Sequence, residues 1–332
     1  MTDFNFDDIF NVSNNAPAPT IKLETPVMPA TKAIERNESK RVEPKQLKTK
    51  PVKTEKPMTG KLVEWFDSHY YQVEIGGMVD HYPSVTTILQ AYPFKLAGLS
   101  QWRGDVGNQT ANQIFHSAGD HGTIVHNAFD RLLKGTPVFY RNKPEEHVGE
   151  YLIIDNQYDY LQLWKLMQFM ERVKPEVILN EYPLVSHEHK YAGTMDLLLR
   201  IQGGTYLIDG KQPVVLPAGL YIADIKTSSA VHNDYYCQIA AYAKAYTELT
   251  GEQITGGLIL HTKASTKSGI EGFSAKYIPA SDGEYTLDKA FEEFLRVYNV
   301  WKINPTPGKP RIFQMPEKLQ LTFNYYSQNS QR

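Results

Sequence analysis

The chain has 332 residues and a single cysteine, Cys237. One cysteine excludes an intrachain disulfide, a thiolate-based zinc site and a cysteine-ligated iron–sulfur cluster. Long apolar runs are also missing, so no segment is expected to span a bilayer. The opening Met1-Thr-Asp-Phe-Asn-Phe6 has neither the basic nor the apolar region of a signal peptide. No Walker-type Gly-Lys-Ser/Thr loop occurs, which argues against a fused ATP-driven motor. An excess of charge of either sign is absent: 35 Lys and Arg stand against 37 Asp and Glu, for a net charge of -2. Any contact with nucleic acid must then come from a local basic patch. These absences predict a protein of a reducing cytoplasm with no membrane partner. With 41% hydrophobic residues there is ample material for a buried core.

Composition divides the chain. Residues 1–58 are rich in Pro, Lys, Thr and Asn and show no sustained apolar period, so they read as a disordered tail. Residues 45–56 form a basic Lys/Pro linker within it. The opening Phe4-Asn-Phe6-Asp-Asp-Ile9-Phe10 is either a docking motif for a protein partner or simply solvated tail. Residues 59–174 read as a hairpin and helical region. Strands are expected at 70–75 and 78–82 around Gly76-Gly77, and Ser84 is placed to cap a short helix. A helix is expected over 113–133, broken near Gly119 and Gly122. An amphipathic helix is expected over 150–173, its Tyr, Leu, Trp and Met stripe facing the core. In residues 175–303 the pattern changes to strands at 177–185, 194–201, 205–209 and 220–226. A helix (235–247), two strands (255–261 and 272–278) and a helix (287–301) follow. This order predicts an α/β fold with a mixed central β-sheet flanked by helices. Residues 304–332 read as an irregular tail.

Two segments carry an acidic residue at one end of an apolar strand: Gly193-Thr-Met-Asp196-Leu-Leu-Leu and Tyr221-Ile-Ala-Asp224-Ile-Lys226-Thr-Ser. Residues two apart on a strand face the same way, so Asp224 and Lys226 share one side of the sheet. A single D-x-K is commonly no more than a salt bridge at a strand end. If Asp196 lies on the adjacent strand, however, two carboxylates converge beside one ammonium. Like charges that close are unfavourable without a cation, and carboxylate oxygens suit Mg²⁺ or Mn²⁺. Such a cation activates water and stabilises charge on a phosphoryl oxygen. Lys226 would then orient or deprotonate the attacking water, or stabilise the transition state.

Gly193 to Asp196, then Asp224-Ile-Lys226-Thr-Ser, then Gln238-Ile-Ala-Ala-Tyr242 resembles the G-x-x-D, D-x-K and Q-x-x-x-Y series of RecB-like nucleases in the PD-(D/E)XK superfamily. Upstream, Gly122-Thr-Ile-Val-His126 resembles the G-x-x-x-H helix of that branch. Pro83-Ser-Val-Thr-Thr-Ile-Leu89 and residues 102–126 resemble the mitochondrial genome maintenance exonuclease and related phage exonucleases. The resemblance covers residues 83–246 and implies a restriction-endonuclease-like core with an N-terminal helical region. It implies that Asp196, Asp224 and His126 are metal ligands, with Ile225 offering its backbone carbonyl, and that Lys226 is the catalytic lysine. Gln238 and Tyr242, one turn apart on a helix, would position that lysine or contact a phosphate. Glu181 matches the acidic position before the G-x-x-D strand; taken alone it is equally an exposed strand carboxylate. His126, taken alone, is more often a satisfied core histidine.

Two departures stand out. Asp130 occupies the position, four residues after the histidine, where the family usually has Glu. A second D-x-K exists, Asp209-Gly-Lys211, but it runs into Gln-Pro and reads as a hairpin tip, which makes 211–219 an insertion between core strands. The function implied is that of an Mg²⁺- or Mn²⁺-dependent DNA exonuclease in replication, recombination or end processing. Trp102, Arg103 and Lys134 belong to a helical region that, by the same resemblance, covers the site and favours single strands and free ends. A flap endonuclease with the same site, or a DNA-binding module without catalysis, are the competing readings.

Overall fold

A computed structural model describes residues 60–65, 68–75, 77–208, 212–262, 272–303 and 310, with the side chains of 94–99 left out. The tail and linker of 1–58, nearly all of 304–332 and the second D-x-K motif (Asp209-Gly-Lys211) lie outside the described residues.

The chain opens with three antiparallel strands, β1 (Gly60–Trp65), β2 (Ser68–Ile75) and β3 (Met78–Pro83), the last two forming the expected hairpin. Ser84 then caps α1 (Val85–Leu89), its hydroxyl accepting from the Thr87 N–H at 3.0 Å. Two longer helices follow, α2 (Pro93–Val106) and α3 (Asn108–Leu133). The break expected near Gly119 and Gly122 does not occur, because a glycine inside a helix costs only about 1 kcal/mol and the following turns, buried at Val125, Ala128 and Phe129, offset it. Residues 150–173 are not one helix either: β4 (Val138–Tyr140) pairs in parallel with β5 (Leu152–Ile154), and α4 spans Gln157–Val173. Asn156 sets that start by accepting from the Tyr158 and Asp159 N–H groups. The stripe on α4 is only partly core. Leu163, Leu166 and Phe169 are buried, whereas Tyr158, Trp164 and Met167 are exposed.

The central sheet is built from β6 (Glu176–Ser186), β7 (Tyr191–Ile201), β10 (Gly219–Lys226), β11 (Ile254–Thr262) and β12 (Phe273–Pro279). Between β7 and β10 a small hairpin intervenes, β8 (Gly204–Tyr206) with β9 (Val214–Leu216). The five-stranded order is β12-β11-β10-β7-β6, with β10 and β11 parallel and the other pairs antiparallel, so the sheet is mixed as expected. Helix α5 (Asn233–Thr250) makes the crossover between the parallel pair, and α6 (Leu287–Ile303) follows β12.

Each face of this sheet carries its own core. On one side Leu220 and Ile222 of β10 pack with α1, α5 and α6 through Ile88, Ile239 and Phe294. On the other, Tyr221, Ala223 and Ile225 pack with α3 and α4 through Phe129, Leu166 and Phe169. The strict alternation along β10 assigns Asp224 and Lys226 to the α5 side. On β7 the alternation fails at one place: Met195 belongs to the first core and Leu197 to the second, so the break falls on Asp196. Among the described residues no helix is long and apolar enough to cross a membrane.

Candidate active site

The site lies where two central strands part. Strands β7 and β10 pair regularly as far as Ala223 opposite Leu197. One step further would set Asp224 opposite Asp196, two like charges in a direct cross-strand pair, which is unfavourable. The ladder ends there. The Ile225 N–H, left without a backbone partner on β7, donates instead to Oδ2 of Asp196 at 2.7 Å.

Asp196 is one of three ligand-type side chains gathered from three elements. His126 of α3, Glu181 of β6 and Asp196 of β7 bring their ligand atoms within 4.8 Å of one another. Nδ1 of His126 lies 3.4 Å from Oε1 of Glu181 and 3.9 Å from Oδ2 of Asp196. Its Nε2 lies 3.3 Å from the Ile225 carbonyl oxygen. Burial opposes the charge on His126, but the carboxylates of Asp196 and Glu181 outweigh it and push its pKa up to about 9. Burial raises the pKa of Asp196, with His126 and Lys226 acting in the other direction.

Glu181 is in the left-handed region, at φ 48°, in the middle of a strand. Asn180 pairs with Leu197 and Tyr182 with Met195, so Glu181 falls opposite Asp196, where β7 also breaks its alternation. Backbone irregularity on both strands therefore coincides with the two carboxylates that face His126.

Beside this trio runs a second chain of contacts. Nζ of Lys226 lies 2.8 Å from Oδ2 of Asp224 and donates to Oε1 of Gln238 at 3.0 Å. The Gln238 amide returns a hydrogen bond to Oδ1 of Asp224 at 3.0 Å and another to the Tyr242 hydroxyl at 3.3 Å. Asp224 is 1% exposed, and its Oδ2 receives no hydrogen bond of acceptable angle, only the facing ammonium. Burial pushes its carboxyl up to about 6 against the pull of Lys226. Burial works against the charge of Lys226 too, yet Asp224 and Asp196 leave its ammonium more basic than a free lysine.

Two glycines lock these pieces together. A Cβ on Gly193 would come within 2.6 Å of Cε1 of Tyr242, so the first residue of G-x-x-D is bare because the last residue of Q-x-x-x-Y lies on it. A Cβ on Gly122 would meet Thr227 Oγ1 at 3.2 Å, which brings α3 against the turn after Lys226.

His126, Glu181, Ile225 and Lys226 line a cleft of about 1070 Å³, walled also by Thr123, Asn127 and Tyr235. Among the other expected residues, Asp130 and Lys134 line it as a pair at 2.7 Å. Trp102 and Arg103 instead cluster on Phe115 of α3, at 5.3 Å each. Cys237 is buried in α5.

No protein-family model matches the chain, and no curated protein matches it.

Sequence reasoning overlooked Tyr235, whose ring lies 4.7 Å from Nζ of Lys226 and whose hydroxyl donates to Ser228 Oγ at 3.0 Å. Its spacing, three residues before Gln238 and so on the same helical face, was the available signal. Sequence reasoning also passed over Gln162 and Thr262, which are joined at 2.8 Å, with the Thr262 hydroxyl 3.3 Å from the Lys226 carbonyl oxygen.

The trio fits a hard or borderline divalent cation. Its donors are carboxylate oxygen and imidazole nitrogen, as Mg²⁺ and Mn²⁺ accept. Ligands held about 2.1 Å from one ion lie about 3 to 4.2 Å apart, and the present spread needs only small side-chain movement to reach that. The Nε2 contact to the Ile225 carbonyl is the outer hydrogen bond that leaves Nδ1 free to ligate.

Proposed function

We propose that this chain is a metal-dependent DNA nuclease of the PD-(D/E)XK type, in the RecB-like branch, acting as an exonuclease on single-stranded or free DNA ends. The observation that carries this reading is convergence. Five separate stretches supply His126, Glu181, Asp196, the Asp224–Lys226 pair and Gln238 with Tyr242; His126, Glu181 and Lys226 line one cleft, Asp196 joins the first two, and Asp224, Gln238 and Tyr242 stand behind the lysine. A lone D-x-K salt bridge at a strand end would need none of the others.

His126, Glu181 and Asp196 would hold Mg²⁺ or Mn²⁺, with Asp224 beside them as a further carboxylate. The Ile225 carbonyl, implied as a ligand by the resemblance, lies 3.3 Å from Nε2 of His126, across the ring from Nδ1, and would act as the outer partner that orients the imidazole. A divalent cation there supplies Lewis acidity toward a phosphoryl oxygen and lowers the pKa of water. Lys226, held as an ammonium by Asp224 and Gln238, presents positive charge to the non-bridging oxygens of the scissile phosphate. That charge makes it a stabiliser of the transition state, not a base. Gln238 fixes the direction of Lys226 and Asp224 at once, and Tyr242 supports Gln238 from below. Protein partners of residues 1–58 belong to the same proposal only as an extension of it.

End-labelled linear and circular DNA, single- and double-stranded, incubated with Mg²⁺, Mn²⁺ or EDTA tests this. Loss of linear but not circular DNA, dependent on metal and abolished in Asp224→Ala, is the expected result. Lys211→Ala should cleave like wild type. Cutting of circles would make the enzyme a structure-specific endonuclease, and binding without cleavage under every metal would leave a DNA-binding module.

A further inference from the structure

Neighbouring residues on a regular strand face opposite sides of a sheet. Asn180 and Glu181 do not: both line the cleft, and both reach helix α3. The left-handed backbone of Glu181, at φ 48°, is what turns the two side chains the same way. That conformation is costly for a residue with a Cβ and persists only where surrounding contacts impose it.

Asn180 provides such a contact. Its Nδ2 donates to Oδ1 of Asp130 at 2.5 Å, and Oδ2 of the same carboxylate accepts from Nζ of Lys134 at 2.7 Å. Asp130 lies four residues after His126, one turn along the same face of α3. Strand β6 and helix α3 are thus joined by two neighbouring rungs, Asn180 to Asp130 and Glu181 to His126. Both Asp130 oxygens are occupied, and Asp130 stands outside the trio of ligand atoms.

The geometry points to Asn180 as a positioning residue for the cation: anchored on Asp130, it holds the Glu181 carboxylate within reach of His126 and Asp196. Asp130 is the anchor and not a ligand. This inference rests on the metal site proposed above.

Mn²⁺ binding to the full chain, measured by calorimetry and by the electron paramagnetic resonance of the ion without nucleic acid present, tests it apart from activity. Asn180→Ala and Asp130→Ala should each weaken Mn²⁺ binding by roughly tenfold to a hundredfold, as the loss of outer-sphere partners does elsewhere. Asp130→Asn keeps an oxygen that accepts from Asn180 and should restore affinity close to wild type. If Asp130 were itself a ligand, Asp130→Asn would lose as much as Asp130→Ala, and the inference would be wrong. Equal binding by Asn180→Ala and wild type would overturn it as well. Should Asn180→Ala fail to fold, the two Asp130 variants decide. Wild type that binds no Mn²⁺ would overturn the nuclease reading along with this inference; the other failures leave that reading standing.

Discussion

His126 is held between two carboxylates and a backbone carbonyl, and its protonation follows from that. Its folded pKa of about 9 lies above the usual histidine value of 6.5, so the charged imidazole stabilises the metal-free fold. That contribution is fully present below about pH 6.5 and is lost as pH rises through about 9. A cation on Nδ1 competes with the same proton, so affinity for Mn²⁺ should climb with pH and level off near 9. The imidazole resonances of His126, followed by NMR, should titrate near 9 without metal and at lower pH with saturating Mg²⁺. A midpoint near 6.5 in both samples would contradict this account of the site. At this scale the sequence was informative for Asp196, Asp224, Lys226, Gln238, Tyr242 and His126, because each belongs to a spaced motif. It left Glu181 undecided between ligand and surface carboxylate and offered nothing on Asn180. A strand pattern assigns alternate residues to opposite faces, and a positive φ that overrides the rule leaves no trace in the residue types on either side.

Between elements, Gly193 and Gly119 have opposite physical meanings. Gly193 is bare because Tyr242 lies against it, whereas a Cβ on Gly119 would meet nothing within 4 Å. Gly193→Ala should therefore destabilise the protein by about 1–3 kcal/mol through overpacking, displacing Tyr242 and loosening Gln238 on Lys226. Gly119→Ala should stabilise α3 by up to about 1 kcal/mol through helix propensity. Urea unfolding of both variants checks the pair, and equal shifts in one direction would refute the distinction. The same glycines explain where element reading went astray. Gly119 and Gly122 suggested a break in α3, but two glycines do not end a helix whose following turns pack in the core through Val125, Ala128 and Phe129. The start of α4 was misplaced because Leu152-Ile-Ile154 is a short apolar run, a kind that periodicity cannot assign to helix or strand. Strands β6, β7, β10, β11 and β12 were legible, being longer and bounded by turn residues.

In the molecule as a whole, a mixed sheet with a core on each face leaves its polar site at the point where β7 and β10 diverge. The layer architecture was legible from the order of strands and helices. The divergence was not, because it arises from two aspartates meeting across strands whose register no sequence pattern specifies. That divergence separates the roles: Asp196 turns toward His126 and Glu181, while Asp224 turns toward Lys226 and Gln238. The proposed cation site and a charge-bearing lysine are thus neighbours on different side chains. The measurement that tests this most directly is Lys226→Ala examined twice, for Mn²⁺ binding and for Mg²⁺-dependent degradation of linear single-stranded DNA. The account predicts that the variant still binds Mn²⁺ through His126, Glu181 and Asp196 but degrades DNA at least about a hundredfold more slowly, the scale of losing one preorganised charge in a transition state. Degradation at the wild-type rate by Lys226→Ala would contradict it.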